Sequence, residues 1–265
     1  MSLKNKYGST ALVAGASEGI GAAFAASLAA EGFNIILVAR RSEPLQRLAD
    51  QLSDRYQVGA RNLVCDLSDE DAAVKITETL GDQEIDFLVY NAALSHIGPF
   101  LGHPSQGHDQ AARVNMITPM RLVHHYGGKM VEKGRGAIVL MSSMAGIQGS
   151  GYLATYAATK AFSRLLAESL WYEWKDKGVD IIACCAGATA TPGYINSKPG
   201  KTNLLAPAVM KPEEVVRECL SRLGRTPSFI TGRGNRFASL IMQRLLPRRT
   251  AVRIMGDNTR KMYGV

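Results

Sequence analysis

Short apolar stretches and longer amphipathic stretches alternate along the whole chain of 265 residues. Most of the short stretches are continuously apolar and do not alternate between apolar and polar positions. Such stretches are typical of strands that are covered on both faces, and therefore of a parallel sheet. The predicted strands are 9–14, 34–39, 60–65, 85–90, 136–142, 180–186 and 228–231.

Helices are predicted between these strands, because apolar residues there recur at the spacing of one helix face. In the second helix, for example, Leu45, Leu48 and Leu52 fall on one side. The predicted helices cover 20–31, 44–56, 104–133 and 150–177, and another begins near Pro212. This order predicts an α/β fold: a single doubly wound, Rossmann-type domain over 1–265, in which a seven-stranded, mainly parallel sheet has helices on both faces.

Composition and segment patterns indicate the compartment of this domain and whether it holds a metal. Apolar residues make up 46% of the chain, which is enough for a sizeable core. The first residues lack the apolar segment of a secretory signal, and no stretch predicts a transmembrane helix, so we expect a cytoplasmic protein. The four cysteines and five histidines show no metal-ligand spacing, and we expect no metal site. Of the histidines, His96 follows the carboxyl end of the fourth predicted strand, where ligands bind in such sheets.

Positive charge is concentrated at the end of the chain. Residues 221–265 hold ten Lys or Arg and one acid, Asp257. Within the basic C-terminal extension, 235–265, Phe237, Leu240, Ile241 and Leu245 recur at helical spacing. Three interpretations stay open: a helix packed on its own domain or on a partner subunit, a helix on a membrane surface, or a basic patch for an acidic carrier of the substrate. We expect no nucleic acid partner, because no aromatic stacking platform accompanies the charge.

A glycine-rich turn lies between the first predicted strand and the first predicted helix. Gly15, Gly19 and Gly21 would let the backbone approach a pyrophosphate, which the helix N-terminus would attract with its free N–H groups and its dipole. A tight turn without a ligand would use glycines in the same way. The position of the motif, directly after a strand and before a helix, favours nucleotide binding.

The end of the second predicted strand bears on which dinucleotide would bind. An acid at this place favours a free ribose 2′-hydroxyl, whereas arginine favours a 2′-phosphate. Arg40 and Arg41 stand here, and Ser17 in the glycine turn could add a hydroxyl. Glu18 would disfavour a phosphate. On balance the residues favour NADP(H) over NAD(H).

The pair Tyr156 and Lys160 lies on one helix face, but this spacing alone is common. The order of several motifs is more specific. After the glycine turn the chain reads VCDLS, YNAAL, RVNMITPMRL, VLMSSMAG and YAATK. In this order and spacing the chain resembles the short-chain dehydrogenase/reductase family from about residue 9 to about residue 231. It looks most like the branch of 3-oxoacyl reductases and hydroxysteroid dehydrogenases.

The resemblance implies a function and a set of site residues. The function would be NADP(H)-dependent interconversion of a ketone and a secondary alcohol, with an apolar or acyl-type carbonyl substrate. The alternative is a non-catalytic NADP(H)-sensing protein on the same fold. The implied catalytic residues are Asn115, Ser143, Tyr156 and Lys160. The implied cofactor-binding residues are Gly15, Ser17, Gly19, Ile20, Gly21, Arg40, Asp66, Leu67, Asn91, Ala92, Gly187, Thr189 and Thr191.

Two further expectations come with the family. The segment 191–210, rich in Gly, Pro, Asn and Ser, resembles the variable substrate loop, which we expect to act as a lid. Family members associate through the helices before and after the fifth strand, so we expect a homodimer or homotetramer. For Tyr156, we expect the Lys160 ammonium, with an oxidised nicotinamide nearby, to lower the pKa of the phenol so that it can exchange a proton with substrate.

Overall fold

A computed structural model describes residues 2–197, 200 and 209–265. Seven strands form one sheet in the order β3-β2-β1-β4-β5-β6-β7, and every neighbouring pair is parallel. The strands are β1 (Thr10–Ala14), β2 (Asn34–Ala39), β3 (Ala60–Val64), β4 (Phe87–Tyr90), β5 (Gly136–Ser143), β6 (Val179–Ala186) and β7 (Ser228–Ile230). The predicted doubly wound α/β fold is therefore confirmed.

Helices connect the strands and cover both faces of the sheet. They are α1 (Leu3–Tyr7), α2 (Gly19–Ala30), α3 (Ser42–Tyr56), α4 (Ala72–Leu80), α5 (Ser105–Ala112), α6 (Thr118–Lys133), α7 (Ala154–Trp174), α8 (Pro192–Asn196), α9 (Pro212–Arg222), α10 (Arg233–Leu240) and α11 (Arg248–Tyr263). Short 3₁₀ turns occupy Phe100–Gly102 and Met144–Ile147, and π-helical turns occupy Arg113–Ile117 and Ile241–Leu245.

The core consists of two apolar layers, one on each side of the sheet. Successive strand residues point to opposite faces, so Val13 and Val89 lie in one layer while Leu12 and Leu88 lie in the other. All four side chains are fully buried. This explains why the inner strands read as continuously apolar. The edge strand β3 is less covered than the inner strands, and its Val64 remains 53% exposed.

Two predicted helices differ from the observed ones. The predicted helix 104–133 is continuous, but a π-helical turn at Arg113–Ile117 separates α5 from α6. The predicted helix 150–177 begins only at Ala154, because Met144–Ile147 forms a 3₁₀ turn and Tyr152 has a φ of 61°. Both irregularities lie beside the candidate site.

The order in which the chain adds strands to the sheet reverses between β1 and β4. From β1 the chain winds outward through β2 and β3, then returns and continues from β4 on the other side of β1. The carboxyl ends of β1 and β4 therefore border a crevice, which is where ligands bind in sheets of this kind. No helix of the described residues is both long and apolar enough to cross a membrane.

Candidate active site

A cavity of about 950 Å³ occupies this crevice. Fifteen of the seventeen predicted site residues line it. They are Gly15, Ser17, Gly19, Ile20, Arg40, Asp66, Leu67, Asn91, Ala92, Ser143, Tyr156, Lys160, Gly187, Thr189 and Thr191. Residues spread over most of the sequence thus meet at one place because seven parallel strands end at the same edge of the sheet.

The glycine turn has the shape that a pyrophosphate requires. Gly15 has a φ of 79°, and a Cβ there would lie 2.5 Å from the backbone nitrogen of Ala92. Gly19 has a φ of 59°. Glu18 precedes α2 but makes no capping hydrogen bond with its side chain. The N-terminus of α2 therefore keeps N–H groups and the positive end of its dipole for an anion, and this part of the cavity fits a dinucleotide.

Arginines surround the other end of the cavity. The guanidinium of Arg41 donates to Ser17 Oγ at 3.2 Å and forms an ion pair with Glu18. Glu18 is therefore neutralised, and its expected repulsion of a phosphate is offset. Arg40 Nη1 lies 3.8 Å from Asp66 Oδ2. Burial opposes ionisation of Asp66, but hydrogen bonds from Ser68 and the charge of Arg40 lower its pKa below the usual value.

Ser143, Tyr156 and Lys160 converge in the same cavity. Ser143 ends β5, whereas Tyr156 and Lys160 lie one turn apart on α7. Lys160 is only 4% exposed; its Nζ donates to the backbone oxygen of Met141 at 2.7 Å and lies 5.8 Å from the centre of the Tyr156 ring. The lysine is thus held under the tyrosine by the last residues of β5.

The pKa values of this pair are set mainly by burial. Burial lowers the pKa of Lys160 to about 8. Burial also raises the pKa of Tyr156 above 10, although a hydrogen bond from Ser143 works in the opposite direction. In the protein's own groups burial therefore acts against the lowering, and the lowering beside an oxidised nicotinamide stays a prediction. The phenol stays protonated at neutral pH, as a proton donor must.

Asn115 and Gly21 do not line the cavity. Asn115 stands in the π-helical turn, where its side chain accepts a hydrogen bond from Leu94 N at 2.8 Å and donates to Leu94 O at 2.8 Å and to Thr159 Oγ1 at 2.9 Å. Thr159 in turn donates to the backbone oxygen of Tyr156. The amide therefore ties the segment after β4 to the helix that carries Tyr156.

Gly21 acts behind the glycine turn. A Cβ on Gly21 would lie 2.0 Å from the backbone oxygen of Gly15 and 2.8 Å from Asn91 Nδ2. Asn91 also donates to Gly15 O at 2.9 Å. Gly21 thus permits α2 to pack against the turn, and Asn91 fixes the turn to the end of β4.

Sequence reasoning missed part of the cavity wall. Met262 and Tyr263, at the end of α11, line the cavity together with Tyr194 of α8. The backbone oxygen of Met262 accepts a hydrogen bond from Gly200 N at 2.7 Å. No local signal marks these residues, because a whole helix must fold back before they reach Tyr156. The rest of the predicted substrate loop, 198–199 and 201–208, lies outside the described residues.

The segment after β4 forms the opposite wall. His96 lines the cavity, and its Nε2 lies 3.0 Å from the backbone oxygen of Gly107. The rings of His96, His103 and His108 lie next to one another, with centres 5.1 to 6.2 Å apart. His108 also bonds to Thr155 Oγ1 at 2.8 Å, directly before Tyr156. Like Asn115, this segment holds the start of α7.

Comparisons with known proteins agree with this geometry. The family described as short chain dehydrogenase matches residues 9–201, and the chain belongs to this family of oxidoreductases. A 7β-hydroxysteroid dehydrogenase of Clostridium sardiniense is 36% identical over 236 residues, which cover 89% of this chain and 90% of the relative. The predicted branch of the family is thereby confirmed.

Two solved structures are also similar to this chain. One, from a study of the stereoselectivity of a 7β-hydroxysteroid dehydrogenase, matches with a TM-score of 0.90 and 31% identity, covering 96% of this chain and 99% of that one. A short-chain dehydrogenase from Sphingobium yanoikuyae in complex with NADPH matches with a TM-score of 0.74 and 30% identity, covering 84% and 87%.

Proposed function

We propose that the protein is an NADP(H)-dependent oxidoreductase that interconverts a ketone and a secondary alcohol on a bulky, apolar substrate, with a hydroxysteroid as the best-supported class. The observation that carries this proposal is the convergence of Ser143, Tyr156 and Lys160 in one cavity with the glycine turn. The alternative of a non-catalytic sensor has no residue in its favour, since the proton donor and its lysine are both present.

The chain's own residues handle the oxygen of the substrate. The nicotinamide, when bound, supplies the hydride to the carbonyl carbon. Tyr156 then donates its phenolic proton to the carbonyl oxygen, and Ser143 donates a hydrogen bond to the same oxygen and keeps it in line. Lys160, charged below pH of about 8, stabilises the phenolate that Tyr156 becomes. Asn115 is proposed as a positioning residue for this turn of α7.

The cofactor preference rests on charge at the ribose end. Arg40 and Arg41 both line the cavity, and Glu18 is paired with Arg41. A 2′-phosphate could bind two guanidinium groups and the hydroxyl of Ser17 in this region. A free 2′-hydroxyl would need a carboxylate as acceptor, and the carboxylate of Asp66 is already paired with Arg40. This arrangement favours NADP(H) over NAD(H). The NADPH-bound relative supports the same choice.

The substrate class rests on the cavity wall away from the glycine turn. This part is lined mainly by apolar and aromatic side chains, namely Leu94, Ile97, Val114, Met144, Leu153, Tyr194, Met262 and Tyr263. Such a wall suits a large apolar body whose polar group is presented to Tyr156. A relative named 7β-hydroxysteroid dehydrogenase supports a steroid over an acyl thioester.

The test is consumption of NADPH or NADH with a panel of carbonyl compounds. We expect oxidation of NADPH with a 7-oxo steroid, weaker reaction with a 3-oxoacyl thioester and with cyclohexanone, and a higher kcat/KM with NADPH than with NADH. If NADPH binds but no ketone is reduced and no secondary alcohol is oxidised, the proposal of an enzyme is contradicted. The alternative of a non-catalytic NADP(H) sensor would then remain.

Association and compartment complete the proposal. Met120 of α6 and Leu165 and Tyr172 of α7 are exposed apolar residues on the helices before and after β5. They support the expected homodimer or homotetramer. All four cysteines are buried and unpaired, which supports a reducing compartment and hence the cytoplasm.

A further inference from the structure

The helix α10 and the π-helical turn after it are amphipathic, but their polar side faces the protein and their apolar side faces solvent. Their inward side is polar: Asn235 and Ser239 are 4% and 5% exposed. Their outward side is apolar: Phe237 is 66% exposed, Leu240 55% and Leu245 71%. Of the interpretations left open for the basic extension, packing on the chain's own domain therefore does not hold for these three side chains.

The inward side of α10 packs against a segment that also lines the active-site cavity. Gly187 lines the cavity, and a Cβ on it would lie 2.4 Å from Asn235 Nδ2, so α10 lies against the segment that follows β6. Arg236 pairs with Glu218 of α9, which anchors the helix from another direction. With these contacts the helix cannot turn its apolar side inward without breaking them.

Arginines surround the outward side. Arg233, Phe237, Leu240 and Arg244 share one helix face, since they are spaced four, three and four residues apart. Arg244, and also Arg248 and Arg249 just beyond, are exposed, and within the described part of the chain none of these arginines has a carboxylate within 4.0 Å. We call the outward side, with Arg233, Phe237, Leu240, Arg244 and Leu245, together with Arg248 and Arg249 that follow it in the chain at the start of α11, the α10 face.

The charge of the α10 face decides between possible partners. A two-fold contact between two copies would bring the same arginines together, and 221–265 offers only one acid, Asp257, to offset them. An acidic protein would meet the arginines but would not require three exposed apolar side chains between them. An anionic lipid surface satisfies both, because its headgroups attract arginine while apolar side chains enter the boundary of the acyl chains.

We propose that the α10 face is a peripheral docking site for an anionic membrane surface. This inference goes beyond the proposed reaction and does not depend on it. Docking there would place the wall formed by Gly187, and with it the cavity, next to the bilayer from which an apolar molecule could be drawn.

Flotation with lipid vesicles tests the proposal on the full chain. We expect binding to vesicles of phosphatidylcholine mixed with phosphatidylglycerol, and no binding to phosphatidylcholine alone. Binding should be lost when the salt is raised from about 0.1 M to about 1 M, because the screening length falls from about 10 Å to about 3 Å. Failure of the unaltered protein to bind the anionic vesicles would overturn the proposal.

Variants separate the two contributions. Replacing Arg244, Arg248 and Arg249 with Gln should weaken binding on the order of a hundredfold, since each arginine near an anionic surface contributes about fivefold. The double variant F237S/L240S should weaken binding roughly tenfold or more, because two apolar side chains would no longer enter the boundary of the acyl chains. The matched control replaces Arg55, Arg135 and Lys177, which are exposed on other elements, with Gln and should bind normally.

Two measurements keep the outcomes distinct. The melting temperature of each variant reports whether it is folded. Because the replaced side chains are exposed, we expect the melting temperature of the natural protein in every variant. Light scattering reports the oligomeric state. Dissociation of an oligomer by F237S/L240S with unchanged vesicle binding would overturn the proposal and make the α10 face a contact between copies. Equal loss of binding in the matched control would also overturn it.

Discussion

Replacing Lys160 with Met should make the protein more stable and inactive at the same time. Lys160 is 4% exposed, and burial lowers its pKa from 10.5 to about 8. This difference corresponds to about 3 kcal/mol that favours the neutral amine in the folded state. Methionine has a similar length and no charge, but it leaves Met141 O without the hydrogen bond from Nζ, which costs about 1–2 kcal/mol. The expected net gain is about 1–2 kcal/mol in the free energy of unfolding at pH 7.

The pH dependence of this gain follows from the sign of the pKa change. Below pH of about 8 the folded protein holds a charged Lys160 in a buried place, so the cost is fully present. Between about 8 and 10.5 the lysine is neutral in the folded protein but still charged when unfolded, and the stability of the natural protein rises with pH. The advantage of K160M should therefore shrink and reverse within this range, and above it the variant should be less stable by the lost hydrogen bond to Met141 O, about 1–2 kcal/mol.

Urea unfolding at several pH values measures both effects, and Y156F is the matched control. That variant removes the proton donor without removing the buried charge, so it should be inactive but not more stable. The reasoning would be refuted by a K160M protein that is less stable than the natural one at pH 7, or by a gain that does not depend on pH.

Three further predictions concern the same cavity. Y156F should lower turnover at least about a hundredfold while NADPH binding, followed by titration, is largely retained; near-normal turnover would refute the role of the phenol. R40D should shift the ratio of kcat/KM values from NADPH towards NADH, because a charge-assisted contact contributes roughly 1.5–3 kcal/mol; R55D, on the exposed side of α3, should not. G21A should lower the free energy of unfolding by about 2 kcal/mol or more, since its Cβ would lie 2.0 Å from Gly15 O. G128A, which has nothing within 4 Å, should be neutral or slightly stabilising, and equal effects would contradict the packing argument.

Much of the fold was readable from local patterns, because those patterns have local causes. The inner strands are continuously apolar since both their faces are covered, and Gly15 and Gly19 mark a turn that needs positive φ. The resemblance then added the roles of Ser143, Tyr156 and Lys160, which the structure places in one cavity. Those roles stay predictions until the variants are measured.

The sequence by itself determined the class of fold, the glycine turn and the spacing of the Tyr–Lys pair, since each depends on residues that are neighbours in the chain. Only the tertiary structure decided how charges and surfaces are used. It paired Glu18 with Arg41, buried Lys160 deeply enough to lower its pKa, and brought Met262 and Tyr263 into the cavity from the far end of the chain. It also turned the apolar side of α10 outward, where helical spacing alone left a packed face and a surface helix both open. The physical reason is that burial and pairing depend on which elements meet in space, and a periodic pattern shows that a face is apolar without showing what covers it.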